Sequence, residues 1–324
     1  MKPAPFAYVA PRSLAEVLGA LAGADDDTKL LAGGQSLIPL LNMRLASPAR
    51  LIDLGRVAEL AYIEAWPEGD TDAAPGYAIG AMTRQRALER DPRIVRDVPL
   101  LAEAVGYVGH PQIRNRGTVG GSIAHGDPAA ELPAVAVCLD AHVTIHGPRG
   151  SRSIPASDLY LGYLATALAP DDLLTEVWFP TQPVRAGSAW LEFARRHGDY
   201  AIAGVGLTVT LADDGATVSA ASIVATGVGG VPVRGTAAAA CLVGARVDAS
   251  GQLETAAVRA ATDALRAATE PADDVQATAI YRRHLVGVLL ERALPVACRR
   301  ARARAVSDVS ATPDNRTTES FRRD

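Results

Sequence analysis

Residues 29–37 of the chain read Lys29-Leu30-Leu31-Ala32-Gly33-Gly34-Gln35-Ser36-Leu37. The apolar residues before the glycines predict a short buried strand, and the residues from Ser36 onward follow helical spacing. Two adjacent glycines at such a junction let backbone N–H groups turn toward an anion, because no Cβ obstructs the approach. The stretch therefore predicts a phosphate-binding turn; the alternative is an ordinary glycine turn in which Ser36 caps the helix.

A second pair of adjacent glycines occurs further along the chain, in Thr118-Val119-Gly120-Gly121-Ser122, with a hydroxyl residue on each side. We expect it to lie in a glycine-rich loop over residues 106–126 and to offer backbone N–H groups as the first stretch does. Two such turns could clamp the two charged groups of a pyrophosphate. Neither matches GxGxxG or GxxxxGK[ST], so a Rossmann dinucleotide site and a P-loop are both disfavoured.

The composition excludes several classes of protein. The chain has 324 residues, a formal net charge of −4, 48% hydrophobic residues and 21% charged residues, which is typical of two globular domains. Apolar residues are too abundant for a disordered chain, and the net charge provides no basic surface for nucleic acid. Apolar runs are short and interrupted, so we expect no transmembrane segment, and the N-terminal residues lack the apolar region of a secretory signal.

The cysteines argue against a metal site held by this chain. Cys138, Cys241 and Cys298 lie far apart, no CxxC pair occurs, and the histidines show no HExxH spacing. An iron–sulfur cluster or a structural zinc ion bound by this chain alone is therefore disfavoured. An odd number of separated cysteines is typical of reduced thiols, so we expect a cytoplasmic protein.

The two glycine stretches and their surroundings resemble the FAD-binding medium subunits of the molybdenum hydroxylase family, of the carbon monoxide dehydrogenase and xanthine dehydrogenase type. The matching segments are residues 31–39, residues 113–122 and the Ala124-His125-Gly126-Asp127-Pro128 stretch that follows. The resemblance covers about residues 1–295. It implies an α+β protein: a two-subdomain FAD-binding fold of the vanillyl-alcohol-oxidase (PCMH) type, followed by a C-terminal α+β domain of the CO dehydrogenase flavoprotein type.

We expect four segments along the chain. FAD-binding subdomains would occupy residues 1–55 and 56–180, and a CO-dehydrogenase-flavoprotein-like domain would occupy residues 181–298. The order of predicted strands followed by predicted helices after residue 181 independently indicates an α+β domain. Residues 299–324 hold seven arginines against four acidic residues and few apolar ones, which predicts a disordered Arg-rich tail.

The resemblance also implies which residues contact FAD, while no catalytic or metal-ligating residue is expected in this chain. Both glycine stretches would bind the pyrophosphate, mostly through backbone N–H groups. The implied contacts are Lys29, Leu30, Leu31, Ala32, Gly33, Gly34, Gln35, Ser36, Leu37, Val108, Thr118, Gly120, Gly121, Ser122, Asp127, Glu131, Leu168 and Tyr200.

Two acidic residues in this set have structural alternatives. Asp127 is assigned to the sugar or ribityl hydroxyls, because a carboxylate beside a pyrophosphate would be repelled; its alternative is the N-cap of a helix with Pro128 in the first turn. Glu131 is implied to contact the cofactor, and its alternative is an exposed acid favoured by the helix dipole. Lys29 is implied near FAD, and its alternative is a strand-edge lysine facing water.

Three further positions concern the isoalloxazine ring. The Gly198-Asp199-Tyr200 segment resembles a family motif whose aromatic ring lies near the flavin, and the alternative for Tyr200 is a half-buried aromatic residue. Leu168 is implied to touch the ring with its aliphatic side chain. Glu192 stands where several relatives carry a lysine, and a carboxylate near the flavin would disfavour the reduced anion. His110 and His125 lie near the second glycine stretch and are expected to be structural.

The function implied by the resemblance is that of an oxidoreductase subunit. FAD would relay electrons from iron–sulfur clusters on a partner to an external acceptor, and substrate oxidation would take place on another chain. The implied partners are a large molybdopterin-binding subunit and a small [2Fe-2S] subunit, arranged as a dimer of heterotrimers. The alternatives are a self-contained flavin reductase of the same fold and a flavin-free scaffold subunit.

Overall fold

The computed structural model describes residues 2–66 and 74–311, with the side chains of residues 306–311 left aside. The first unit is built on a three-stranded parallel sheet of order β1-β3-β2. Its elements are β1 (Ala7–Val9), α1 (Leu14–Leu21), β2 (Thr28–Leu31), α2 (Leu37–Asn42) and β3 (Arg50–Asp53). The hydroxyl of Ser13 caps α1 by accepting a hydrogen bond from the Glu16 N–H at 3.2 Å. Val17 and Leu21 of α1 then pack on Ile52 of the central strand.

The second unit surrounds a five-stranded antiparallel sheet of order β4-β5-β10-β6-β7, with a separate β8–β9 hairpin. Its strands are β4 (Ile63–Trp66), β5 (Gly76–Gly80), β6 (His142–Gly147), β7 (Gly150–Pro155), β8 (Tyr160–Gly162), β9 (Ala165–Thr166) and β10 (Leu173–Pro180). Its helices are α3 (Gln85–Arg90), α4 (Pro92–Asp97), α5 (Pro99–Val105), α6 (Pro111–Arg116), α7 (Val119–His125) and α8 (Glu131–Cys138). The helix α8 is buried along its whole length, which explains why every residue after Glu131 is apolar.

The glycine-rich segment over residues 106–126 is not the continuous loop expected from the sequence, because it contains α6 and α7. Pro111 starts α6 with a preset φ. Thr118 caps α7 by accepting a hydrogen bond from the Gly121 N–H at 3.1 Å, and Gly126 ends the helix with a φ of +63°. The second glycine pair therefore lies in the first turn of a helix.

The third unit has a four-stranded antiparallel sheet of order β11-β12-β13-β14, covered by helices. Its elements are β11 (Ala186–Phe193), β12 (Ala203–Leu211), β13 (Val218–Thr226), β14 (Val233–Arg234), α9 (Thr236–Ala240), α10 (Thr255–Ala268) and α11 (Ala279–Ala311). Leu290, Ala293 and Ala297 of α11 pack on the sheet. Trp190 of β11 and Val224 of β13 belong instead to the core of the second unit, so the two units share a continuous apolar contact.

The expected disorder of residues 299–324 is wrong for residues 299–311, which continue α11. Ala301 is fully buried in the core of the third unit. Arg300 donates to Glu103 Oε2 at 2.6 Å and to the Ser188 carbonyl at 2.7 Å, which ties this helix to α5 and β11. Arg302 likewise donates to the carbonyls of Gly215 and Val247, and Arg304 to the Arg96 carbonyl, so three of the arginines that suggest a solvated tail bond groups far away in sequence. Residues 312–324 lie outside the described residues.

Within the described ranges, no helix combines the length and the apolar character that a membrane crossing requires.

Candidate cofactor-binding site

A cavity of about 800 Å³ lies where the three units meet. This volume is within the range of small-molecule and cofactor sites, roughly 300–1,000 Å³. Every residue that the sequence implies as a contact lines this cavity except Leu31. The Leu31 side chain packs against Gly34 instead, where a Cβ on Gly34 would lie 3.3 Å from Leu31 Cδ1. The expected residues that line it are Lys29, Leu30, Ala32, Gly33, Gly34, Gln35, Ser36, Leu37, Val108, Thr118, Gly120, Gly121, Ser122, Asp127, Glu131, Leu168 and Tyr200.

The first glycine stretch presents unpaired backbone donors to this cavity. The N–H groups of Gly34, Gln35 and Ser36 donate to no acceptor in the described part of the chain. Gly34 has a φ of +74°, which favours glycine, and the Gln35 side chain holds the turn by donating to the Gly33 carbonyl at 3.1 Å. Ser36 precedes α2 but makes no side-chain capping bond, so the alternative of a simple Ser cap is wrong. This turn fits an anion.

The second glycine stretch offers fewer free backbone donors than expected, because most of its N–H groups already donate to acceptors within the protein. The Val119 N–H donates to the Thr83 carbonyl at 3.0 Å, and the Gly120 N–H donates to the Ala81 carbonyl at 2.8 Å. The Gly121 N–H donates to the Thr118 hydroxyl. Across the same described region, the Thr118 N–H has no acceptor. This side of the cavity therefore offers one backbone donor and the Ser122 hydroxyl, rather than a second set of N–H groups.

One glycine of each stretch is required by a close backbone neighbour. A Cβ on Gly33 would lie 2.6 Å from the Arg116 carbonyl oxygen and 2.8 Å from Gly117 Cα, so the first stretch can approach the residues before the second only with glycine at position 33. A Cβ on Gly120 would lie 2.7 Å from Ala81 Cα, so glycine at position 120 lets α7 lie against the residue that follows β5.

Two carboxyl groups near the cavity are unusually buried. Glu131, at the start of α8, is 5% exposed, and burial raises its pKa to about 8, with the Glu192 and Asp127 carboxyls adding to the increase. Burial likewise raises the pKa of Glu192 to about 7, although it accepts a hydrogen bond from Trp190 Nε1 at 3.0 Å. The alternative of an exposed acid is wrong for Glu131. Glu192 is not among the residues that line the cavity.

Asp127 is not the N-cap of a helix with Pro128 in its first turn. Its carboxylate accepts a hydrogen bond from the Ala129 N–H at 2.8 Å and so closes a turn, whereas α8 begins only at Glu131. Asp127 lines the cavity, and its assignment to cofactor hydroxyls stays a prediction. Lys29 is exposed on β2 and also borders the cavity, so its role near FAD stays a prediction too.

Two arginines position backbone at the cavity and were not anticipated from the sequence. Arg114 is 5% exposed; it pairs with Glu89 at 2.9 Å and donates to the carbonyls of Val108 and Gly109 at 3.0 Å each. Arg152 pairs with the buried Asp172, which also accepts from the Ala169 N–H at 2.8 Å beside Leu168. Neither contact has a local sequence signal, because the partners are distant along the chain.

The segment that contains Tyr200 closes one side of the cavity. Gly198 has a φ of +89° and packs against the His110 ring, which stacks on His197 with 6.3 Å between centroids. Tyr200 is 50% exposed, and its phenol interacts with the Ser36 side chain. Partial burial raises the pKa of Tyr200, and the nearby Asp127 carboxyl adds to this increase. His125 lines the cavity, whereas His110 only supports this segment.

Replacing Tyr200 by alanine should alter the spectrum of bound flavin more than its affinity. If the ring lies beside the isoalloxazine, its loss should cost about 1 kcal/mol of binding, the value of one aromatic contact. Flavin fluorescence should rise, because a nearby phenol quenches it by electron transfer. Tyr281→Ala, at a position 41% exposed and remote from the cavity, is the control. Unchanged absorption, fluorescence and reoxidation rate in the Tyr200 variant would show that the ring is not at the flavin.

Comparisons with known proteins identify the family of the chain that forms this cavity. A family model described as the FAD binding domain in molybdopterin dehydrogenase matches residues 4–182, and one described as the CO dehydrogenase flavoprotein C-terminal domain matches residues 188–297. The chain is 40% identical over 302 residues to the 6-hydroxypseudooxynicotine dehydrogenase complex subunit alpha of Paenarthrobacter nicotinovorans, which covers 93% of this chain and 97% of the relative.

A further relative and a solved structure both come from a carbon monoxide dehydrogenase. The medium chain from Hydrogenophaga pseudoflava is 38% identical over 297 residues, covering 92% of this chain and 98% of the relative. A solved structure of the enzyme from the same organism, lacking the Mo-pyranopterin moiety of its cofactor, contains a chain that superposes with a TM-score of 0.85 at 38% identity, covering 93% of this chain and 99% of that chain.

Proposed function

This chain belongs to the FAD-binding family of molybdopterin dehydrogenases, and from that membership we propose that it relays electrons from partner iron–sulfur clusters to an external acceptor. It is an oxidoreductase subunit, and its cofactor is FAD. The family and fold class expected from the sequence are confirmed. The observation that carries the proposal is the cavity at the meeting of the three units, with unpaired N–H groups in its first glycine stretch.

The residues around the cavity fit FAD. A diphosphate needs donors that approach without side-chain obstruction, and Gly34, Gln35 and the Thr118 N–H supply them. Asp127 offers acceptor oxygens for hydroxyl groups, and Leu168 offers an apolar contact for a planar ring system. When bound, FAD can accept electrons singly and release them singly or in pairs.

The partners we propose are a large molybdopterin-binding subunit and a small [2Fe-2S] subunit, in a dimer of heterotrimers. Support comes from two relatives, one of which is a subunit of a dehydrogenase complex and the other the medium chain of a carbon monoxide dehydrogenase. We place the complex in the cytoplasm, because Cys138, Cys241 and Cys298 are free thiols in the structure.

Reconstitution tests this proposal. The purified chain loaded with FAD should show no loss of flavin absorbance when carbon monoxide, an aldehyde, a purine or an N-heteroaromatic compound is added without oxygen. Co-expression with a large molybdopterin-binding subunit and a small [2Fe-2S] subunit should make the flavin of the purified complex bleach with one of these substrates.

Each alternative predicts a different outcome. A self-contained flavin reductase would let the isolated, metal-free chain bleach with an organic substrate. A flavin-free scaffold would purify without bound FAD and fail to bind added FAD. Either result would contradict the proposal, and absence of bleaching in a complex that contains molybdenum, iron and FAD would contradict the electron route through this chain.

A further inference from the structure

The side chain of Gln85 is buried at the cavity with its polar atoms unused. Gln85 begins α3, is 4% exposed and lines the cavity. Its Oε1 atom is enclosed and has no hydrogen-bond partner. Its Nε2 atom donates to no acceptor in the described ranges. Buried carboxamides in folded proteins are nearly always hydrogen-bonded, so an unpaired one at a cavity wall points to a ligand group as its partner.

The surroundings of the carboxamide define which end remains for a ligand. The Gln85 side chain lies against Gly117, where a Cβ would overlap Oε1 and lie 2.9 Å from Cδ. The Gln85 N–H donates to the Gly117 carbonyl at 3.0 Å, which fixes the start of α3 beside this glycine. Because Oε1 is turned against the Gly117 backbone, the amide nitrogen is the end that is left for a ligand.

The position also defines the part of the ligand that this nitrogen would meet. Gly117 lies close to Gly33, because a Cβ on Gly33 would be only 2.8 Å from Gly117 Cα. Since the Gln85 side chain contacts Gly117, Gln85 lies beside the junction of the two glycine stretches. Thr118, whose N–H has no acceptor in the described part of the chain, follows Gly117 directly. A ligand group that reaches this junction meets N–H donors, and anionic oxygens satisfy such donors best.

We propose that Gln85 binds the diphosphate of the dinucleotide, with Nε2 donating a hydrogen bond to a phosphate oxygen. This inference rests on the proposed function, in which the cavity holds FAD. It assigns to α3 a binding role that neither glycine stretch provides. It also accounts for glycine at position 117, since any side chain there would displace the carboxamide from the junction.

The test compares three ligands on flavin-depleted protein. FAD and ADP contain a diphosphate, whereas riboflavin has no phosphate. Gln85→Met removes the donor while keeping the length of the side chain, and it should raise the dissociation constants of FAD and ADP by about 10- to 100-fold, as expected for a hydrogen bond to a charged group. The dissociation constant of riboflavin should stay within about twofold of the wild-type value.

Two other variants control the experiment. Gln85→Glu keeps the shape of the side chain but directs a carboxylate toward the diphosphate, so it should weaken ADP binding by about 100-fold. Gln182→Leu alters a glutamine whose Oε1 is also buried and unpaired but which lies away from the cavity, and it should leave all three dissociation constants unchanged. Melting temperatures of the flavin-depleted variants show whether each is folded.

The outcomes separate this inference from the proposed function. If wild-type protein binds no FAD, the proposed function fails and this inference fails with it. If wild-type protein binds FAD but folded Gln85→Met and Gln85→Glu bind FAD and ADP equally well, only the inference is overturned. An equal loss for riboflavin would also overturn it, because the carboxamide would then contact the flavin rather than the diphosphate.

Discussion

The Gly33→Ala variant should purify with less than about a tenth of the FAD of the wild-type protein. The added Cβ would lie 2.6 Å from the Arg116 carbonyl oxygen and 2.8 Å from Gly117 Cα. Both neighbours are backbone atoms, so neither can rotate away as a flexible side chain would. Overpacking of this kind costs about 1–3 kcal/mol, which corresponds to about 5- to 150-fold in affinity if it separates the two segments that bind the cofactor. Flavin absorbance relative to protein absorbance measures the occupancy.

Gly19→Ala is the matched control, because the substitution is the same and a Cβ at Gly19 has no heavy atom within 4 Å. Gly19 lies in α1, where alanine stabilises a helix relative to glycine, so this variant should retain its FAD and melt at the same temperature or higher. Circular dichroism should show that Gly33→Ala is folded. Stoichiometric FAD in that variant would show that the close approach of the two segments is not needed for binding.

The second large effect concerns pH and Glu131. Its pKa in the folded protein is about 8, above the ordinary value of 4.5, so the folded state keeps a proton that the unfolded chain releases. This contribution to stability is fully present below about pH 4.5 and is lost as the pH rises through about 8. Glu131→Gln should therefore gain stability over the wild-type protein as the pH increases from 5 to 9, by roughly 4 kcal/mol in the free energy of unfolding.

Denaturant unfolding of flavin-depleted protein at several pH values measures this difference. Glu64→Gln, which neutralises an exposed glutamate on β4, should follow the wild-type curve. Glu192, with a pKa of about 7, should leave a residual dependence in Glu131→Gln that Glu131→Gln/Glu192→Gln removes. If the difference between Glu131→Gln and wild type is the same at pH 5 and pH 9, Glu131 is ionised in the folded protein across this range, and its assigned pKa is wrong.

The parts of the site that the sequence predicted are those encoded by local pattern. Adjacent glycines between a strand and a helix identified the first stretch, and the order of strands followed by helices after residue 181 indicated the α+β third unit. Family resemblance connected both stretches to FAD. The assignment of individual contacts stays a prediction, although all of the implied residues except Leu31 line one cavity.

The parts that the sequence could not predict depend on distant partners. Two N–H groups of the second stretch donate to the carbonyls of Ala81 and Thr83, which are separated from it along the chain by the helices α3 to α6. The raised pKa of Glu131 depends first on its burial and then on the nearby carboxyl of Glu192, which belongs to the third unit. The helical continuation after residue 299 requires Glu103 and Ser188 as partners for Arg300. No local sequence pattern identifies Gln85 as a binding residue, because its position at the cavity depends on its contact with the distant Gly117.

The distribution of the cavity walls over the chain has a consequence for biosynthesis. Gly33 and Thr118 leave the ribosome early, but Gly198, Asp199 and Tyr200 emerge only with the third unit. The bond from Arg300 to Glu103, which connects that unit to α5, can form only after most of α11 has been synthesised. A nascent chain thus cannot complete the walls of the cavity before Tyr200 has been synthesised, since units fold in the order in which they emerge. Flavin binding that needs the Tyr200 side of the cavity therefore follows synthesis of β11, the first strand of the third unit.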